Sequence, residues 1–135
     1  MKLRIRCSVL SPRPDEMKFD WFEDAIIHIF DNQIEKIEPA SLASVSDIHL
    51  PDHLAMPGFV DSHIHFPQTR IIGSASGALL PWLNASVFPE ESRFENRNYA
   101  SAVANQFCNA LLRHGTVAAG IYSSSHFQST DELCD

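Results

Sequence analysis

The sequence predicts an α/β fold in which N-terminal strands precede one β-α-β unit. Apolar and polar residues alternate over residues 3–9, which is typical of a half-buried strand. Apolar residues recur four apart within residues 96–113, which is typical of an amphipathic helix. Apolar runs at residues 59–65 and 116–122 flank that helix. The second half of the chain is therefore predicted to be strand, helix, strand.

The N-terminal residues are predicted to form several short strands. We expect the first strand to end at Pro12 and Pro14, because proline cannot donate a hydrogen bond to a neighbouring strand. Residues 25–38 predict a hairpin, since two apolar runs flank the turn-forming residues 31–33. The turn type stays open, because Gln33 stands where glycine is common in such turns.

The predicted helix at residues 96–113 is followed by Gly115, which can adopt the left-handed conformation found after many helices. We expect His114 to be a helix cap or a surface histidine. Residues 66–94 contain three prolines and predict a long loop, and a last helix is predicted from Thr130. The apolar stripe of the long helix consists of Tyr99, Val103, Phe107 and Leu111.

The composition excludes several classes of function. With 44% hydrophobic and 20% charged residues, the chain is typical of a globular protein. Its net charge of −7 repels a phosphate backbone, so we expect no nucleic-acid partner and favour a small neutral substrate. No apolar run approaches the length of about 18 residues that a membrane span needs. Three widely spaced cysteines predict reduced thiols in a cytoplasmic protein.

The most informative segment is PGFVDSHIHF, residues 57–66. Side chains two apart on a strand point to the same face, so His63 and His65 would present two imidazoles to one point. Asp61 shares that face and could orient a ligand. For an isolated His-X-His pair, two half-buried polar residues would be the simpler interpretation. Here the strand context favours half of a metal site at the carboxyl end of a parallel strand.

These residues resemble a known family. Residues 57–65 resemble the first barrel strand of the amidohydrolase superfamily, whose metal-dependent members hydrolyse C–N and related bonds. Further segments resemble the guanine deaminases more than the cytosine deaminases, dihydroorotases or chlorohydrolases. Those segments are FPQT at 66–69, GS at 73–74, LLPWL at 79–83 and FPEESRF at 88–94.

The resemblance implies a fold for each half of the chain. Residues 1–56 would be the N-terminal β-sandwich portion, and residues 57–135 the first part of a (β/α)8 TIM barrel. A complete barrel needs about 200 residues or more, so we expect an incomplete barrel and a fragment of a longer protein. Its unpaired strand edges would favour self-association or a homo-oligomer.

The resemblance also implies a site and a reaction. His63 and His65 would bind zinc, or iron, because imidazole suits both metals. Gln68 would contact a purine substrate. The reaction would be that of guanine deaminases in purine catabolism, in which guanine and water give xanthine and ammonia. The remaining metal ligands and the general acid/base would lie beyond residue 135, so no catalytic residue is assigned and this chain alone would be inactive.

Two alternatives stay open at this point. The first is an amidohydrolase that acts on another ring or on an amide. The second is a non-catalytic fragment that associates with a full-length subunit.

Overall fold

The computed structural model describes residues 1–75 and 77–134. It divides into two compact units, Met1–Pro57 and Gly58–Asp135. Along the described part of the chain, no helix is both long and apolar enough to span a membrane.

The first unit is a four-stranded sheet with the order β3-β2-β1-β4. Its strands are β1 (Lys2–Arg13), β2 (Lys18–Phe30), β3 (Gln33–Pro39) and β4 (Ile48–Ala55). The pairings β1-β2 and β2-β3 are antiparallel, whereas β1 and β4 are parallel. The predicted alternation along β1 is confirmed, because Cys7 and Val9 are buried and pack with Ala25 and Ile27 of β2.

The prediction that Pro12 ends the first strand is wrong. The strand β1 continues to Arg13, and Pro12 pairs with Phe19 of β2. On the other side of β1, the pairing with β4 reaches only as far as Val9 and Ala55. Beyond Val9 the strand therefore has a neighbour on one side alone, which is where a sheet tolerates proline. A 3-10 turn at Pro14–Glu16 then leads into β2.

The predicted hairpin at residues 25–38 is confirmed as β2-β3, with Asp31 and Asn32 between the strands. Both residues have positive φ values, 46° for Asp31 and 64° for Asn32. Positive φ at both central residues defines a type I′ turn, whose twist matches that of the strands. Asp and Asn tolerate this conformation better than most residues, so the turn needs no glycine.

The second unit is a β-α-β arrangement, as predicted. The strands β5 (Phe59–His65) and β6 (Thr116–Tyr122) form a parallel two-stranded sheet. The helix α3 (Arg97–Arg113) connects them, and α4 (Phe127–Cys134) follows β6. The helix α4 begins at Phe127, before the predicted start at Thr130.

The prediction of a long loop over residues 66–94 is wrong, because most of this connection is helical. Pro67 and Pro81 each lie in the first turn of a helical segment, where a backbone N–H would have no partner in any case. Pro89 instead follows a π-helical stretch within continuing helical backbone. The segments are a 3-10 helix at Phe66–Ile71, α1 (Leu79–Trp82), a π-helical stretch at Leu83–Val87, α2 (Phe88–Ser92) and a 3-10 turn at Arg93–Glu95.

The helix α3 begins and ends as its sequence predicts. The side chain of Asn96 accepts a hydrogen bond from the backbone N–H of Tyr99, and Gly115 has a φ of 80° after the last turn. The predicted apolar stripe faces the core of the unit. The buried residues of that core are Phe66, Phe94, Ala100, Val103, Ala104 and Phe107.

The close packing of β5 on β6 predicts a strong effect of Gly120→Ala. A Cβ atom at this position would lie 2.7 Å from the carbonyl oxygen of Ser62, which belongs to the backbone and cannot move aside freely. We expect a loss of about 1–3 kcal/mol in the free energy of unfolding. Denaturant unfolding measures it, with Ala118→Ser, at an exposed position two residues earlier in the same strand, as the control. Equal unfolding midpoints for the two variants would contradict this packing.

Candidate metal centre

His63 and His65 lie at the carboxyl end of β5 and present their imidazoles on the same face, as the period of a strand requires. Their Nε2 atoms are 3.2 Å apart. His63 is exposed, whereas His65 is half-buried. The two nitrogens therefore converge on one point that a small ligand can reach.

The spacing of the two nitrogens fits one divalent metal ion. Zinc ligands of this type lie about 2.0–2.1 Å from the metal, and two of them at a tetrahedral angle are about 3.3 Å apart. The observed 3.2 Å between the Nε2 atoms is close to that value. When no metal is bound, the same contact is a hydrogen bond in which one ring donates its Nε2–H to the other. The pair can thus supply two ligands to a metal.

The ring of Tyr122, the last residue of β6, packs against both imidazoles. Its ring is stacked on His65 with a centroid distance of 5.0 Å, and its centroid is 4.4 Å from that of His63. Tyr122 was not among the residues predicted for the site. The signal was available, because parallel pairing of the two predicted strands places their last residues side by side, and Tyr122 does pair with His65.

Asp61 has a different role from the one expected. Its Oδ1 accepts a hydrogen bond of 3.0 Å from the backbone N–H of His63. The carboxylate therefore fixes the strand backbone between the two residues and not an imidazole ring.

Gln68 lies in the 3-10 helix that begins directly after His65, and its side chain is half-buried. It lines a cavity of about 370 Å³ together with His63 and His65. The volume is within the range of small-molecule pockets. His114 also lines this cavity, while its backbone N–H caps α3 by donating to Ala110, so the prediction of a capping histidine is confirmed.

Two imidazoles are fewer than the three protein ligands of a usual catalytic zinc site. Within residues 1–75 and 77–134, no group of three or more His, Cys, Asp or Glu side chains is arranged to hold a metal ion. His63 and His65 by themselves would therefore supply only part of a coordination sphere.

Residues 54–133 match the model of the amidohydrolase family. This match covers more than half of the chain and includes β5, α3, β6 and most of α4. The chain therefore belongs to the amidohydrolase family.

Its relatives within this family include guanine deaminases. The chain is 45% identical over 80 residues to guanine deaminase from Escherichia coli (strain K12), which covers 59% of this chain and 18% of that protein. It is 38% identical over 89 residues to a probable guanine deaminase from Deinococcus radiodurans, which covers 65% of this chain and 20% of that protein. The chain spans about a fifth of the length of these relatives.

Solved structures agree with these matches. Guanine deaminase from Bradyrhizobium japonicum superimposes with a TM-score of 0.85 at 31% identity, over 98% of this chain and 32% of that one. Guanine deaminase from C. acetobutylicum, solved with guanine bound in its active site, gives a TM-score of 0.82 at 26% identity over the same shares. The expected fold class is confirmed, with N-terminal strands followed by the first β-α-β part of the amidohydrolase barrel.

Stacking on Tyr122 predicts the NMR behaviour of the two histidines. In Tyr122→Leu the carbon-bound imidazole protons of His63 and His65 should shift downfield, because they lose the shielding of the phenol ring, whereas Tyr122→Phe should keep it. A two-dimensional ¹H–¹³C spectrum measures both shifts, with His126 as the internal control. Equal spectra for the Leu and Phe variants would contradict the stacked arrangement.

Proposed function

We propose that the complete gene product containing this chain is a guanine deaminase, which converts guanine and water to xanthine and ammonia. The observation that carries the proposal is the pairing of two imidazole nitrogens at 3.2 Å beside Gln68 in one cavity. That arrangement occurs in a chain whose relatives are guanine deaminases, one of them solved with guanine bound.

In this proposal His63 and His65 hold the metal through their Nε2 atoms. Zinc is the metal we propose, and iron is the alternative with the same ligand preference. A divalent ion at this position supplies the Lewis acidity that activates water near neutral pH. The strand backbone holds the two imidazoles in place, and the Asp61 carboxylate accepts a hydrogen bond from that backbone. The Tyr122 ring restricts the imidazoles from the side.

Gln68 is the proposed contact to the purine. Its side-chain amide can donate and accept hydrogen bonds at once, which matches the mixed donors and acceptors on the edge of guanine. The half-buried position limits competition from water. In the reaction the bond between the purine carbon and its exocyclic amine breaks, and a carbon–oxygen bond forms in its place.

We extend the proposal to the domain organisation, the cellular location and the self-association of the chain. We propose that residues 1–56 are the N-terminal β-sandwich portion and residues 57–135 the first part of the barrel. The net charge of −7 is compatible with a small neutral substrate, and the free state of all three cysteines supports a cytoplasmic location. For the 135-residue chain by itself, self-association is proposed from the exposed apolar residues of the parallel sheet, including Phe59, Val60 and Val117.

A substrate comparison tests the proposed function against another amidohydrolase activity. The complete gene product is assayed for ammonia release from guanine, adenine, cytosine and a triazine. We expect turnover of guanine in clear excess over the other three. Preference for any of them would refute guanine as the substrate while leaving the amidohydrolase family intact.

Removing one imidazole should remove the metal. In the complete gene product, His63→Ala and His65→Ala should each lose bound metal and lower guanine turnover at least about a hundredfold, since even indirect disturbance of a ligand costs about 10–100-fold. His114→Ala should keep its metal, because His114 lies at the end of α3 and not on β5. Elemental analysis measures occupancy. Full occupancy in both strand variants would refute the ligand assignment.

The 135-residue chain by itself should release no ammonia from guanine. Its described residues bring only two ligands together, which leaves a catalytic metal incompletely held. The purified chain is loaded with zinc and assayed beside the same sample carrying His63→Ala. Turnover that the substitution abolishes would show that two imidazoles are sufficient.

A further inference from the structure

A buried carboxylate lies outside the candidate metal centre and has no part in the proposed chemistry. The side chain of Glu90, on α2, is 7% exposed. It accepts a hydrogen bond from the hydroxyl of Tyr99 on α3, and its Oε2 is 3.1 Å from the Arg93 guanidinium. Buried carboxylates are rare unless they are paired in this way. Glu90 therefore ties the end of the helical connection to the first turn of α3.

Two guanidinium groups also lie over the ring of Tyr99, in cation–π contact. The guanidinium carbon of Arg93 is 4.1 Å from the ring centroid, and that of Arg70 is 4.7 Å from it. Burial and the hydrogen bond to Glu90 raise the pKa of Tyr99, so its hydroxyl stays a donor. Arg70 belongs to the 3-10 helix Phe66–Ile71, which also contains Gln68. One end of the Gln68 turn is thus attached to Tyr99.

The other end of the same turn is attached to Tyr99 through aromatic contacts. Tyr99 packs edge-on against Phe94, with centroids 5.3 Å apart, and Phe94 packs edge-on against Phe66 at 5.1 Å. Both phenylalanines are fully buried. Phe66 directly follows His65 and begins the 3-10 helix. Tyr99 therefore restrains the turn at its first residue and near its last.

Filling the core does not require this arrangement. A phenylalanine at position 99 would pack against Phe94 equally well and would need no buried carboxylate. The Tyr99 hydroxyl and Glu90 instead fix the orientation of the ring, and that ring holds Arg70. The hydrogen bond between Tyr99 and Glu90 thus contributes mainly by fixing the orientation of the Tyr99 ring, and adds little buried apolar surface.

We propose that Tyr99, held by Glu90, is a positioning residue that fixes the Gln68 turn at the edge of the cavity for substrate binding. The inference rests on the proposed function, in which Gln68 contacts the purine. It assigns no new group to the reacting atoms. Arg70 and Phe66 transmit the restraint to the two ends of the turn.

Three variants of the complete gene product test the proposal. Tyr99→Phe keeps the ring and loses the hydroxyl, Tyr99→Leu loses both, and Arg70→Met removes only the exposed cation. We expect KM for guanine to rise about tenfold in Tyr99→Leu and about threefold in the other two, with kcat nearly unchanged and metal content equal. Loss of binding without loss of chemistry raises KM alone. Arg113→Met, an exposed arginine at the end of α3, is the matched control.

Combination with Gln68→Ala separates positioning from simple stabilisation. If Tyr99 acts through Gln68, Tyr99→Leu should raise KM no further in the Gln68→Ala background. A purely structural role would give the same effect in both backgrounds. Additive effects, or an unchanged KM in Arg70→Met and Tyr99→Leu, would overturn the proposal.

Hydrogen exchange provides a readout that does not depend on guanine. Arg70→Met and Tyr99→Leu should speed the exchange of the backbone amides at residues 66–71 and leave those at 116–122 unchanged. Unchanged exchange at 66–71 would overturn the proposal whatever the substrate. A wild-type protein without activity on guanine would refute the proposed function, and the exchange data would still decide whether Tyr99 restrains the turn.

Discussion

The parallel pairing of β5 with β6 is the interaction on which the candidate site depends. It brings the carboxyl ends of two strands together although α3 separates them in sequence. The register places Tyr122 beside His65, so the imidazole pair gains an aromatic neighbour. Gly120 makes this approach possible, because a side chain there would collide with the backbone of Ser62. A shift of one residue in the register would turn the site residues to the opposite face.

The chemistry of the site follows from that placement. Two imidazoles fixed at 3.2 Å lose little freedom when they bind one ion, since strand, carboxylate and phenol ring already restrict them. The turn after β5 then adds Gln68 at the rim of the same cavity. In our proposal its position depends on a second set of contacts, centred on Tyr99 and separate from the two histidines. In the proposed function, metal binding and substrate contact are thus supported by separate groups of residues.

Local patterns predicted much of this arrangement. The period of two along β5 correctly placed His63 and His65 on one face, and the four-residue spacing correctly located α3. Tyr122 and the pair of Glu90 and Tyr99 were missed, because their contacts join residues distant in sequence or on separate helices. The helices within residues 66–94 were missed because prolines were taken as breakers, whereas here each proline lies within a helical segment. Pro12 was misjudged because the extent of β4 is a tertiary property.

The most direct test is the location of the metal in a crystal of the complete gene product, measured by anomalous scattering at the zinc edge. We predict one peak within about 2.0–2.1 Å of Nε2 of both His63 and His65. We also predict that the two nitrogens stay close to their present separation of 3.2 Å. A metal that lacks one or both of these nitrogens as ligands, or that is bound through Nδ1 of one ring, would contradict the assignment of His63 and His65 as ligands.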